Sequence, residues 1–283
     1  MTADAALKTI DYLVIGHVTS DLQPDGSQKL GGTVSFSGLS ASRLGIKTGV
    51  LTSSGSGSEL APLAGLQVVN LPAETTTAFK NTSTQHGRRQ YCFSQAAKLH
   101  PSQLPRQWAN PAIVHLGPVA EEIDPVFFEL FPNSLLCVTL QGFLREIGQD
   151  GLVKFRDWKD REKYLPKVKA AVLSFEDLQE DENRVREYAG LCELLVVTEN
   201  KRGARVYWKQ EMREFPAPKR ELVDDTGAGD IFAACFFHRY HITGCAWKAA
   251  RFAVELATDS VTRRYLDSIP TIEEIEHAKR CSS

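Results

Sequence analysis

The chain has no Cys-x-x-Cys pair, no apolar run long enough to span a bilayer, almost no net charge and no Ser/Gly/Pro-rich linker. Each absence removes a class of protein. The six cysteines (Cys92, Cys137, Cys192, Cys235, Cys245 and Cys281) are scattered over 283 residues. Such scatter argues against a disulfide framework or a zinc site, and for buried free thiols in a reducing compartment. A formal net charge of −2 supplies no electrostatic pull toward nucleic acid or an acidic membrane. The opening stretch, MTADAALKTIDYLVIG, lacks a basic start, and its apolar part reads as a strand rather than a secretory signal. A cytoplasmic protein that engages neither membrane nor nucleic acid is expected. With no linker and no repeat of fixed period, residues 1–283 are expected to form one domain, long enough to bury a large core.

What is present alternates. Tyr12–Ile15, Lys47–Leu51, Ala112–Leu116, Leu135–Thr139, Ala170–Leu173 and Leu194–Thr198 are short apolar runs bounded by turn or polar residues. Runs of this kind suit strands buried on both faces. Ser35–Leu44, Pro125–Leu130, Asp181–Gly190 and Ile231–Arg239 lie between or after them with helical patterning. The alternation predicts an α/β protein with a doubly wound, mostly parallel sheet. Residues 18–32 and 74–98 break the rhythm: they are polar, Thr-rich and alternating, with turn signals at Asp25-Gly26 and His86-Gly87. They predict two exposed β-hairpins, a small lid over the cleft at the strand C-termini.

The chemistry concentrates in VDDTGAGDIFAACFFHRY, residues 223–240. Gly227 and Gly229 let the backbone turn sharply and expose N–H groups where a helix begins, and a helix start favours anions. A phosphoryl group docked there would lie beside Asp230, which could take a proton from an attacking hydroxyl. The competing reading makes Thr226 an N-cap and Asp230 a first-turn stabiliser. No Gly-Lys-Ser/Thr follows the glycines, so this is not a Walker loop. Ser174-x-x-Asp177 before a helical stretch reads as a capping box. Gly55-Ser-Gly-Ser lacks the third glycine of a dinucleotide loop, and His238-x-x-His241 has no third metal ligand nearby.

Asp224-Asp225-Thr226-Gly227-Ala228-Gly229-Asp230 resembles the C-terminal signature of the ribokinase (PfkB) family of ATP-dependent carbohydrate kinases. The likeness implies Asp230 as catalytic base and the backbone of Gly227, Ala228 and Gly229 as an anion hole. Gly31-Gly32, leading into a helix that ends Arg43-Leu44-Gly45, resembles the family's N-terminal signature, and Gly16–Asp21 its first strand with a substrate-facing carboxylate. Asp21, Gly31 and Gly32 are thereby implied as acceptor-binding residues, with Arg89 and Gln90 able to reach in from the lid. Phe36 stands where ribokinase has Asn, which points away from ribose. Thr198–Gly203 resembles a Thr-x-Gly-x-x-Gly nucleotide loop in which Asn200 replaces the first glycine. Ser174 and Asp177 stand where the family has Asn and Glu in a site for magnesium and phosphate.

The resemblance therefore implies Thr198, Asn200, Gly203 and Ser174 at the nucleotide, Asp177 near Mg²⁺ through water, and ATP and Mg²⁺ as cofactors. Thr75–Asn81, Gly87–Gln90 and Val138–Arg145 resemble an inositol-kinase-like branch, so a small sugar or polyol is the expected acceptor. A nucleoside kinase of the same fold, or a catalytically silent sugar- or nucleotide-binding regulator, are the alternatives. Family likeness and exposed strand edges together imply a homodimer paired through the lid.

Overall fold

The computed structural model describes residues 7–84 and 87–282. In chain order it contains β1 (Tyr12–Ile15), β2 (Thr19–Leu22), β3 (Gln28–Gly31), α1 (Thr33–Arg43), β4 (Thr48–Gly55), β5 (Gln67–Ala73), β6 (Thr77–Thr84), β7 (Gly87–Ser94), β8 (Ile113–Leu116), β9 (Leu135–Thr139), β10 (Arg145–Ile147) and β11 (Val153–Phe155). There follow α2 (Arg161–Tyr164), β12 (Ala170–Ser174), α3 (Glu182–Leu191), β13 (Leu194–Thr198), β14 (Ala204–Trp208), β15 (Glu211–Phe215), α4 (Ala228–Thr243), α5 (Ala246–Ser260) and α6 (Ile272–Cys281). Short 3₁₀ turns connect many of them.

Every side chain of β1 is buried, because successive residues feed opposite layers. Tyr12 and Val14 join a cluster with residues of α1, α4, α5 and α6, whereas Leu13 and Ile15 join one with Trp108, Phe127 and residues of α3. Nine strands form the central sheet in the order β15-β14-β13-β12-β9-β8-β1-β4-β5. Pairs from β5 to β13 are parallel, and β14 and β15 add an antiparallel edge. The chain moves outward from β1 to β4 and β5, then returns to β8 on the other side. This switch opens a crevice beyond the carboxyl ends of β1 and β8, where sheets of this type bind ligands.

All six expected strand runs are strands, and α1, α3 and α4 occupy expected helical segments. Pro125–Leu130 is a correction. Only Pro125–Glu129 is helical, as a 3₁₀ turn that buries Phe127 and Phe128. A segment this short, with Pro132 just beyond, cannot repay the cost of nucleating an α-helix.

Residues 18–32 and 74–98 combine into one four-stranded sheet, β3-β2-β6-β7. The first hairpin turns at Asp25-Gly26, with Gly26 at φ 84° and the Asp25 carboxylate accepting from the Ser27 amide and hydroxyl. At the second turn, His86 lies outside the described residues. Cys92, Cys137 and Cys235 are buried as expected, but Cys281 is exposed on the last turn of α6. Among the described residues no helix is long and apolar enough to cross a membrane.

Candidate active site

Helix α4 is apolar nearly all round, and Ile231–Phe237 are buried without interruption. Such a helix must run through the layer between its neighbours, here α1 and α5. Its N-cap is Gly227 at φ 80°, with no side-chain cap, so Thr226 does not play the capping part offered by the competing reading. A Cβ on Gly227 would overlap the Phe36 ring. Asp224 shapes the loop before it, accepting from the amides of Thr226 (2.9 Å) and Tyr265 (3.3 Å). The Ala228 amide is already engaged with the Asp225 carbonyl (3.2 Å). Among the described residues the amides of Gly227, Gly229 and Asp230 have no backbone acceptor. These are the unsatisfied donors of a helix start, and Asp230 stands in that first turn.

Burial pushes the Asp230 carboxyl up to about 6, against a hydrogen bond from Thr33 and the Arg145 guanidinium, with Asp177 and Asp21 adding to the rise. Three carboxylates and one guanidinium therefore share the crevice, although they come from widely separated segments. Burial also raises the Asp177 carboxyl, while Arg145, the Ser174 amide and Gln141 oppose the rise. The expected capping box is present: Ser174 N donates to Asp177 Oδ2 (2.9 Å), and Glu176 N donates to Ser174 Oγ (3.3 Å). Asp177 thus caps a turn and also faces Arg145. Among the described residues no group of three or more His, Cys, Asp or Glu could hold a metal ion. One carboxylate suits Mg²⁺, which takes most of its ligands from phosphates and water.

Arg145 was not among the residues assigned from the sequence, although it closes the stretch Val138–Arg145. It starts β10, donates to the Val119 carbonyl (3.1 Å) and lies 5.6 Å from the centre of the Phe79 ring. Register explains this contact. Asp21 pairs with Phe79 across β2 and β6, so both lie on one face of the lid sheet. Phe79 pairs with Cys92 and Asn81 with Gln90, whereas Arg89 pairs with Thr82. Gln90 therefore shares the Phe79 face, while Arg89 is exposed on the opposite one. Of the two lid residues expected at the crevice, strand alternation puts Gln90 on the Phe79 face and Arg89 on the other.

Asp21 accepts from the Thr19 hydroxyl (2.9 Å). Gly31 lies opposite Thr19, and a Cβ there would press on Asp21 and Thr19. Gly32, at φ 88°, caps α1 where a Cβ would meet the His17 carbonyl. Gln23 donates to the Tyr265 hydroxyl (2.5 Å), and the Lys29 ammonium lies 4.3 Å from the Tyr265 ring centre. The root of the lid is a buried polar chain. His17 Nε2 meets the Ala97 carbonyl (2.8 Å), and Nδ1 meets the Thr77 hydroxyl (2.7 Å). The buried Glu122 carboxylate accepts from the amides of His17, Val119 and Ala120.

On the other flank, Ser174 and Thr198 pair across β12 and β13. Asn200 adopts φ 50° and donates to Glu176 (2.7 Å), tying the two loops together. Gly203, at φ 101°, is buried where a Cβ would overlap the Phe215 carbonyl. Beyond it, a cavity of about 400 Å³ is lined by Phe215, Pro216, Trp247, Arg251 and Val254 among others.

Residues 168–272 match the profile of the pfkB family of carbohydrate kinases. A cytidine kinase of Thermococcus kodakarensis is 26% identical over 253 residues, 82% of this chain and 88% of that protein. A pyrophosphate-dependent kinase in the ribokinase family, solved with a pyrophosphate analogue and myo-inositol, superposes with a TM-score of 0.77 at 22% identity, covering 94% of this chain and 99% of that one. Arabidopsis thaliana ribokinase, solved with ribose and ATP, superposes with a TM-score of 0.72 at 16% identity, covering 96% and 99%. The doubly wound sheet with its appended β-sheet is the ribokinase fold. The pfkB match lies in the C-terminal part of the chain, which carries the Gly227–Asp230 loop, while the likeness in fold extends over nearly all of it.

Proposed function

We propose that the protein transfers the γ-phosphoryl group of ATP to a hydroxyl of a small, uncharged sugar or polyol. One observation carries this reading: Asp230, beside open helix-start amides, gathers with Asp21, Asp177 and Arg145 in the crevice beyond the sheet. Asp21 accepts hydrogen bonds from acceptor hydroxyls and orients one of them toward Asp230. Asp230 takes the proton of that hydroxyl as its oxygen attacks phosphorus. The amides of Gly227, Gly229 and Asp230 hold the charge that develops on the transferred group, with Arg145 beside them. Asp177 would hold Mg²⁺ through water, and the ion would supply charge neutralisation at the donor phosphates. The lid sheet excludes water, and its exposed edge is the surface for pairing with a second copy of the chain.

The walls near Asp21 support a polyol over a nucleoside. Thr19, Gln23, Lys29 and the Tyr265 hydroxyl are polar, while Phe79 is 4% exposed and covered by Arg145. The Phe79 ring therefore offers no face for stacking a base, and the half-buried Tyr265 ring carries the Lys29 ammonium over one face. The cytidine kinase relative favours a nucleoside as the second reading. A panel of sugars, polyols and nucleosides coupled to ADP release separates them: turnover with polyols or sugars is expected, and turnover confined to nucleosides overturns the acceptor class.

In this reading the nucleotide donor lies along the Thr198–Gly203 loop and extends toward the open cavity lined by Phe215, Pro216, Trp247 and Arg251. Pyrophosphate, the donor of a structural neighbour, would leave that cavity empty. ATP should therefore sustain faster turnover than pyrophosphate in a direct comparison of initial rates.

The base also sets a pH dependence. Asp230 must be ionised to act, and its carboxyl sits at about 6. Activity is present above that pH and lost below it, with kcat/KM falling about tenfold per unit on the acid side. A limb in the ordinary carboxylate range, near pH 4, would remove Asp230 from the role.

A further inference from the structure

We infer that His17 is the pin of the lid: its ring and main chain meet all four places where lid strands join the body, and so set where Asp21 stands over the crevice. The inference rests on the kinase reading and deepens it. His17 is a positioning residue, acting through Asp21 rather than on the reacting atoms.

The lid is two hairpins, so four chain crossings join it to the body. β2 begins at Thr19, just beyond His17 itself. β3 ends at Gly31, and a Cβ on the next residue, Gly32, would overlap the His17 carbonyl. β6 begins at Thr77, whose hydroxyl meets His17 Nδ1 at 2.7 Å. β7 ends at Ser94, and shortly after it the Ala97 carbonyl meets His17 Nε2 at 2.8 Å.

The tautomer follows from the partners. A carbonyl only accepts, so Nε2 donates to Ala97, and Nδ1 is left to accept the Thr77 hydroxyl proton. The Thr77 oxygen in turn accepts from the Ala96 amide at 2.9 Å. Ala96, Thr77, His17 and Ala97 thus close a ring of hydrogen bonds at the roots of β6 and β7. His17 is 1% exposed and Thr77 0%, and a buried polar group that loses its partner is costly. An apolar side chain would fill the same space without fixing a direction. This ring fixes the angle at which the lid leaves the sheet.

The residues it carries are those over the crevice. Asp21 lies along β2 from His17, Phe79 lies along β6 from Thr77, and the two pair across the lid sheet. The His17 amide donates to Glu122 (2.8 Å), which also accepts from the Val119 and Ala120 amides. The Val119 carbonyl accepts from Arg145, whose guanidinium covers Phe79. Asp21, Phe79 and Arg145 are therefore all held from one buried ring. The Thr198–Gly203 loop follows β13, which β12, β9 and β8 separate from β1. The pin bears on the acceptor and not on the nucleotide.

Two substitutions at Thr77 test it. Thr77→Ser keeps the hydroxyl, whereas Thr77→Val keeps the branched shape and loses both hydrogen bonds. Thr77→Val is expected to raise the acceptor KM about tenfold, the scale of one buried hydrogen bond, with the KM for ATP within about twofold. Thr77→Ser should keep both values. Equal behaviour of the two variants, or a matching rise in both KM values, overturns the inference. Hydrogen exchange gives a readout apart from turnover. Thr77→Val should quicken it at β2 and β3 while β8 and β9 hold their rates, and Thr77→Ser should change neither. Quickening in all four strands would make the hydroxyl a support of the whole fold and reject the pin. If Thr77→Val fails to fold, His17→Gln takes its place, since Gln can donate to Ala97 but offers Thr77 no ring nitrogen. The same acceptor-side rise is expected there, and a normal acceptor KM with normal β2 exchange would reject the pin. Should the unmodified protein transfer no phosphoryl group to any acceptor, the kinase reading falls, and the exchange data alone decide the pin.

Discussion

Asp230→Asn is expected to lower phosphoryl transfer by about 10²–10⁴-fold, the usual contribution of a positioned general base, while acceptor and donor binding change little. Asn keeps the size and hydrogen-bonding reach of the side chain but cannot accept a proton as the hydroxyl attacks. The same substitution should make the fold more stable at neutral pH. In the folded chain burial holds the carboxyl at about 6, whereas an unfolded Asp titrates near 3.9. The fold therefore disfavours the ionised form. Its cost is absent below about pH 4, grows between the two values and is complete above about pH 6. Removing the charge should recover about 1–3 kcal/mol at pH 8 and almost nothing at pH 4. Paired thermal unfolding at the two pH values, alongside initial rates, checks both parts. Unchanged turnover in the Asn variant would falsify the base assignment. Lost turnover with unfolding at pH 8 would show instead that Asp230 supports the fold.

The gain in stability and the loss in rate have one origin. An acid kept partly desolvated beside two other carboxylates is poor for folding and good for taking a proton near neutral pH. Arg145 moderates both, because its guanidinium opposes the rise at Asp230 and at Asp177. This residue also shows where sequence reasoning reached its limit. Strands such as Leu135–Thr139 and Leu194–Thr198 were legible because burial on both faces leaves an unbroken apolar run. Asp230 and its glycines were legible because a sharp turn and a helix start leave a local signature. Arg145 acts through a contact between β10 and the lid strand β6, and no local spacing encodes that pairing. Arg89 and Gln90 are both expected at the crevice and only Gln90 shares its face, since strand alternation depends on a register that the sequence leaves open.

Other misses have equally particular causes. The β14–β15 hairpin turns through Lys209 and Gln210, both in the left-handed region at φ 53° and 64°. Such turns usually carry Asn-Gly or Asp-Gly, so Lys-Gln gave no signal. β5 contains Pro72, which argues against a strand unless it lies at an edge, and β5 is the edge of the sheet. Phe36 read as a departure in the acceptor pocket, but it is 1% exposed and packs on Gly227. Its role lies in the base loop, one step from where the motif suggested.

That packing yields the second large expected effect. Gly227→Ala should destabilise the fold by about 2–4 kcal/mol, combining left-handed strain with overpacking, and should lower turnover with it. Gly227 is held at φ 80°, where an L side chain is strained, and its Cβ would overlap a Phe36 ring that is itself enclosed. Relief would require moving either α1 or the cap of α4, and each carries part of the site. Gly229→Ala is the control. Nothing lies within 4 Å of a Cβ there, and a helical Gly→Ala change is neutral or stabilising by up to about 1 kcal/mol. The Phe36→Ala, Gly227→Ala pair then separates the two causes. Truncating Phe36 alone leaves a cavity at the helix interface, and the methyl group introduced by Gly227→Ala can use that space. The double variant should therefore be less destabilised than the sum of the single ones. Strict additivity in urea unfolding would mean that the ring is not what excludes a side chain from the cap. The cost remaining once the ring is gone then measures the left-handed turn by itself, about 1 kcal/mol. That part belongs to the path of the chain into α4 and the rest to contact with α1.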